Sequence, residues 1–102
     1  MITISLQYDD QNQLCGFTTT GHADYSEAGS DIVCAGVSAI TQTCLLGLLH
    51  YHEDRTVYEV KNGFLSVHVE KVDRIADVLL ETMVMGLEEI ARQYGSYVVL
   101  KR

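Results

Sequence analysis

The chain has no proline, no CxxC pair among its three cysteines, and half as many basic residues as acidic ones. Seven Lys and Arg stand against fourteen Asp and Glu, a formal net charge of −7. The basic face that a nucleic-acid-binding module needs is therefore missing. An acidic protein also repels anionic membranes and attracts basic polypeptides. Cys15, Cys34 and Cys44 are odd in number, which argues against a disulfide framework and against a tetrahedral zinc site. Reduced thiols are expected, with no metal and no cofactor. The start, MITISLQYDD, carries no basic, apolar leader, so no secretory signal is expected. The most apolar run, residues 37–49, is too short to span a bilayer and is interrupted by Ser38, Thr41, Gln42 and Thr43. A cytoplasmic location follows as the expectation. The lack of proline carries no functional reading.

At 102 residues, 47% hydrophobic and 21% charged, the chain has the make-up of one globular domain, residues 1–102, with a single core. Ile2, Ile4, Leu6 and Tyr8 alternate with polar residues, the period of a half-buried strand. A turn at residues 9–12 and a second strand over 13–20, with Cys15, Phe17 and Thr19 on one face, predict a hairpin. Residues 56–60 and 64–70 read as two further strands joined by Lys61-Asn62-Gly63, a strong hairpin signal. His68 falls on the solvent side of its strand. Helical spacing predicts one helix over about 31–51 and another over about 73–94, the latter with a core stripe of Val72, Ile75, Ala76, Leu79, Met83, Leu87, Ile90 and Tyr94. Val78, Met85 and Leu80 lie off that stripe, an apolar surplus that points to a homodimer or to more burial within one subunit. A last strand follows at 97–100. The order is ββαββαβ: an α+β, two-layer domain with a mostly antiparallel sheet and two long helices packed on one face.

The chemistry gathers between residues 21 and 49. Ser30 or Asp31 caps the first helix, and Val33, Val37, Ile40, Cys44 and Leu48 give its apolar spacing, so Cys34 sits in the first turn. Unpaired N–H groups and the helix dipole there favour a thiolate, and a histidine brought against it would complete a nucleophile and base. His22, upstream across a small-residue loop, is the candidate. It requires the strand to end or bend at Gly21, since strict alternation would turn His22 away from the helix layer. A cysteine between Val33 and Ala35 is equally at home in a core. Ser38, one turn beyond Cys34, is placed to donate toward the sulfur or a substrate carbonyl, or back to a helix carbonyl. Residues 23–30 hold Asp24 and Glu27 and no basic residue; they read as a movable loop with room for an extended peptide, or as a solvated connection. His50 and His52 point to different helix faces and read as dipole-facing residues, not metal ligands.

The segment GHADYSEAGSDIVCAGVSAI, with its Gly-His-Ala and its Gly-Ser-Asp-Ile-Val-Cys-Ala followed by Val-Ser-Ala, resembles the ribosomal-processing cysteine protease family, Prp. Length, strand order and the late helix fit as well. The resemblance implies a thiol endopeptidase that removes a short N-terminal extension from large-subunit ribosomal protein twenty-seven and forms homodimers. His22 then corresponds to the catalytic histidine and Cys34 to the nucleophile. The loop corresponds to a mobile substrate-binding segment, assigning Asp24, Glu27, Gly29 and Asp31, with Ser38, to the substrate. Asp31 or Asp24 is available to orient His22, although a dyad is simpler. Free N–H groups at the helix start would bind the oxyanion. Two other classes remain open on the residues alone. One is a non-enzymatic, ribosome-associated assembly module that binds a basic partner; the other is a redox protein, disfavoured by the missing CxxC.

Overall fold

The computed structural model describes every residue except Ala28 and Ser30. The strands are β1 (Ile2–Tyr8), β2 (Leu14–Thr20), β3 (Thr56–Lys61), β4 (Phe64–Val69) and β5 (Val98–Lys101); the helices are α1 (Ile32–His52) and α2 (Arg74–Gln93). They form one five-stranded sheet in the order β3-β4-β2-β1-β5. Every pairing is antiparallel except β1 with β5. The expected order and two-layer α+β architecture are therefore present.

Alternation explains the layers. Ile2, Ile4, Leu6, Phe17, Leu65 and Val67 are buried beneath the helices. The other face carries Gln7, Thr18 and Ser66, joined by hydrogen bonds of 3.0 and 3.5 Å. The first turn closes because Asp9 Oδ1 accepts the Gln11 and Gln13 N–H groups, each at 2.9 Å.

Two phases differ from those predicted. A register shift at Gln7/Tyr8 leaves Cys15 without a strand partner, so Leu14 joins the main core cluster while Cys15 is buried outside it. The stripe of α2 also differs at one edge: Val72, Leu79, Ile90 and Tyr94 pack against the core as predicted, while Leu80 and Val84 join it in place of Ile75. Ala76, Leu80, Met83, Val84 and Leu87 are buried, while Ile75 is exposed. In the helix pair, Ile40 lies 3.2 Å from where a Cβ on Gly86 would stand and Leu79 3.3 Å from one on Gly47, with Ile90 at 3.4 Å from one on Gly36. Gly47 and Gly86 thus let α1 and α2 approach closely. Val78 and Met85 stay exposed, together with Leu46 of α1.

α1 with its following 3-10 turn is, by length and composition, apolar enough to cross a membrane. In the fold, Val33, Val37, Thr41, Cys44, Leu45 and Leu48 are spent on the core, and Thr41 is buried because its hydroxyl donates to Val37 O at 2.9 Å. At the far end His52 does more than face the helix dipole. Its Nε2 meets Asp73 Oδ1 at 2.8 Å, tying the end of α1 to the N-cap of α2.

Candidate active site

β2 ends where the reading required a bend. Gly21 has φ +90, which favours glycine, and a Cβ there would collide with the Met1 carbonyl. Its N–H donates to Gly63 O at 2.9 Å, so the chain leaves the sheet against the β3–β4 turn. His22 consequently lies over Gly63, and the next residue, Ala23, is buried with its N–H donating to Cys34 Sγ at 3.2 Å. A backbone dipole aimed at the sulfur is oriented to receive negative charge.

Asp31 builds the other side. It is the N-cap of α1, with Oδ1 accepting Val33 N–H at 2.9 Å and Cys34 N–H at 3.0 Å. Oδ2 accepts Tyr25 N–H at 2.9 Å and Ser26 N–H at 3.2 Å. One carboxylate thus joins the loop to the helix turn that carries Cys34. Burial works against its charge, yet the N–H groups of Cys34, Ser26, Tyr25 and Val33 together hold it below the ordinary carboxylate value. The Tyr25 ring adds a second tie, edge-on to Tyr94 and Tyr97 at 5.7 and 5.1 Å between centroids. Ser30, the other candidate cap, lies outside the described residues, as does Ala28 of the same loop.

These bonds correct one expectation. The Val33 and Cys34 N–H groups are already paired with Asp31, and Ala35 N–H with Asp31 O at 3.0 Å, so they are not free for an oxyanion. Asp31 spends both oxygens on backbone. Asp24, at φ +58, lies 3.8 Å from the N-terminal ammonium.

Two clefts meet at the site. One, of about 270 Å³, lies toward the sheet and is lined by residues that include Val60, Lys61, Phe64, Leu65, Thr41 and Gln42. The other, of about 570 Å³, lies toward the loop and is lined by Asp24, Ser26, Gly29, Asp31 and Ala35. His22, Cys34, Ser38 and Asn62 border both. Asp24, Gly29, Asp31 and Ser38 thus come together with the His and Cys, whereas Glu27 is exposed and lines neither cleft. The wall formed by Asn62, Gly63 and Phe64 was missed. Asn-Gly signalled the hairpin, but no local pattern says that its tip meets His22. Among the described residues no group of three His, Cys, Asp or Glu is arranged for a metal.

Asp31 and Asp73 make the protein's acid stability predictable. Asp73 is also held low, by the Ala76 N–H against the opposing effect of burial and then by His52. A carboxylate with a depressed folded value stabilises above its unfolded value near 4 and loses that contribution as pH falls through the lower folded value. Thermal unfolding midpoints should be flat above about pH 5 and fall below about pH 4. Asp31→Asn, with one carbonyl oxygen for four N–H groups, should be less stable at pH 7 and show a shallower acid decline. An unchanged decline would remove Asp31 from this role.

Residues 1–99 match the family described as Cysteine protease Prp. The ribosomal processing cysteine protease Prp of Staphylococcus aureus (strain Mu50) is 32% identical over 106 residues, spanning 98% of this chain and 97% of that protein. The protein of the same name from Bacillus subtilis (strain 168) is 30% identical over 101 residues, with 92% and 90% covered. The crystal structure of the S. aureus protease with a covalently linked product peptide superposes with a TM-score of 0.91 at 27% identity, covering 99% of this chain and 98% of that one. Sequence and fold agree along nearly the whole length, and the chain belongs to the Prp family of cysteine proteases.

Proposed function

We propose that this protease removes the short N-terminal extension of large-subunit ribosomal protein twenty-seven, with Cys34 as nucleophile and His22 as general base and then acid. The observation that carries the reading is the placement of Cys34 and His22 on the shared border of two clefts. A cleft open to both sides accepts a chain that continues past the scissile bond, as an endopeptidase requires. The acidic loop side, with Asp24 and Asp31, suits a basic ribosomal protein.

The Cys34 sulfur attacks the scissile carbonyl carbon, and the proton it gives up is held by His22. His22 protonates the departing amine as the tetrahedral intermediate collapses to a thioester. It then takes a proton from the water that hydrolyses the thioester. The Ser38 hydroxyl, exposed on the same border, is the donor assigned to the oxyanion in place of the capped helix N–H groups. Asp31 acts as a positioning residue, since its bonds hold loop and helix turn together. The exposed Leu46, Val78 and Met85 support pairing of two copies through the helix layer.

Wild type and Cys34→Ser should be incubated with the ribosomal protein bearing its extension, and the product masses followed. Release of the extension by wild type alone is expected. Equal cleavage by both would exclude Cys34 as nucleophile. Intact substrate with a folded wild type would exclude this substrate.

A further inference from the structure

The sheet-side cleft ends at a strand edge that has no partner among the described residues. β3 is terminal in the sheet, pairs only with β4, and has an unbroken register from Thr56↔Val69 to Lys61↔Phe64. All its residues after Thr56 are exposed. Natural sheets blunt such edges with proline, bulges, very short strands or charged residues; the charges of β3, Glu59 and Lys61, alternate onto the face opposite Tyr58 and Val60. The opposite edge, β5, has four residues. β3 has six, with no bulge and no proline.

The direction of its free backbone groups follows from the pairing. Gly21 N–H bonds Gly63 O, so the residues of β2 that bond β4 are Thr19 and Phe17, opposite Leu65 and Val67. Alternation then gives Phe64, Ser66 and His68 to β3, opposite Lys61, Glu59 and Val57. Tyr58 and Val60 are left with N–H and C=O directed away from the sheet. Their side chains share the face of Val67 and Leu65, toward the helices, yet are 50% and 55% exposed because α1 does not reach over them. Val60 and Lys61 also line the cleft that holds Cys34 and His22.

We propose that the edge of β3 is a strand-addition site, at which the peptide entering the sheet-side cleft is held extended by backbone hydrogen bonds to Tyr58 and Val60. This rests on the proteolytic reading and specifies how its substrate is held. Main-chain pairing supplies binding that is indifferent to sequence, and apolar side chains on alternate residues of the peptide fall on the ledge of Tyr58 and Val60. The catalytic cysteine is thereby supplied with an extended backbone.

Proline at Tyr58 tests this, because it removes an outward N–H and spares the β3–β4 ladder, the one position class an edge strand tolerates. The probe is a synthetic peptide covering the extension and the residues just beyond the cleavage point. Tyr58→Pro should raise KM about tenfold with kcat within about twofold, and by several-fold more than Tyr58→Ala, which loses the side-chain ledge and keeps the N–H. A second measurement leaves the protein untouched: single N-methyl groups placed along the peptide should weaken binding at every other residue. An unchanged KM in folded Tyr58→Pro, or N-methyl effects without alternation, would overturn strand addition while wild-type cleavage upheld the protease reading. Conversion of a wild-type dimer to a monomer by Tyr58→Pro would assign the edge to a second copy and overturn it as well. A wild type that leaves the peptide intact overturns the substrate assignment and this inference with it.

Discussion

Alanine at Cys34 is expected to reduce peptide cleavage by about 10⁴-fold or more, since no other group can form the thioester. The fold should persist. Cys34 is half-buried, and its loss removes one N–H···S bond from Ala23 while leaving the Asp31 cap in place. Thiol labelling gives the same assignment without a substrate. Burial, and then Asp9, push the Cys15 thiol up, and burial pushes Cys44 up to about 12. Both thiols are turned onto carbonyls, Cys15 onto Gln7 O at 3.5 Å and Cys44 onto Leu79 O at 3.6 Å. At neutral pH an alkylating reagent should therefore modify one thiol quickly in the native protein, and that thiol should vanish in Cys34→Ala alone. Fast modification that survives Cys34→Ala would remove the activated cysteine from this position.

Alanine at Gly63 should disable the site from the other side. A Cβ there would stand 2.9 Å from His22 Nε2 and 3.5 Å from Cε1, in a residue at φ +71. The ring must move, and a displacement of about 1 Å at a reacting group costs on the order of 10²-fold in rate. Backbone strain will also lower the unfolding midpoint, so activity must be compared well below it. A double-mutant cycle separates the two effects. If Gly63→Ala acts through the ring, it should cost little more once His22→Ala has been made. A full additional loss in that background would show that the ring is not the route.

The sequence carried the strands and helices because their signals are local. Alternation in residues 2–8, Asn-Gly between two strand-like runs and an aspartate before a helical period each act within a few residues. The phase of α2 was not local. Leu80 and Val84 fit the helix period as well as Ile75 does, and only tertiary packing buries the first two and leaves the third exposed. The bulge at Cys15 is of the same kind, since register is set by the partner strand and a one-residue slip exchanges faces.

The site divides along the same line. Spacing put Cys34 in the first turn of a helix and Asp31 at its cap, because a helix terminus imposes its needs on adjacent residues, while the pairing of His22 with Cys34 came from the family resemblance. Tertiary structure decided the rest. It used both oxygens of Asp31, paired the Val33 and Cys34 N–H groups with one of them, and brought the tip of a distant hairpin under His22. It also left Tyr58 and Val60 with outward backbone groups, Val60 lining the cleft itself. Local propensity names the groups a chain can offer; packing between elements far apart in sequence selects which of them meet and which remain unpaired.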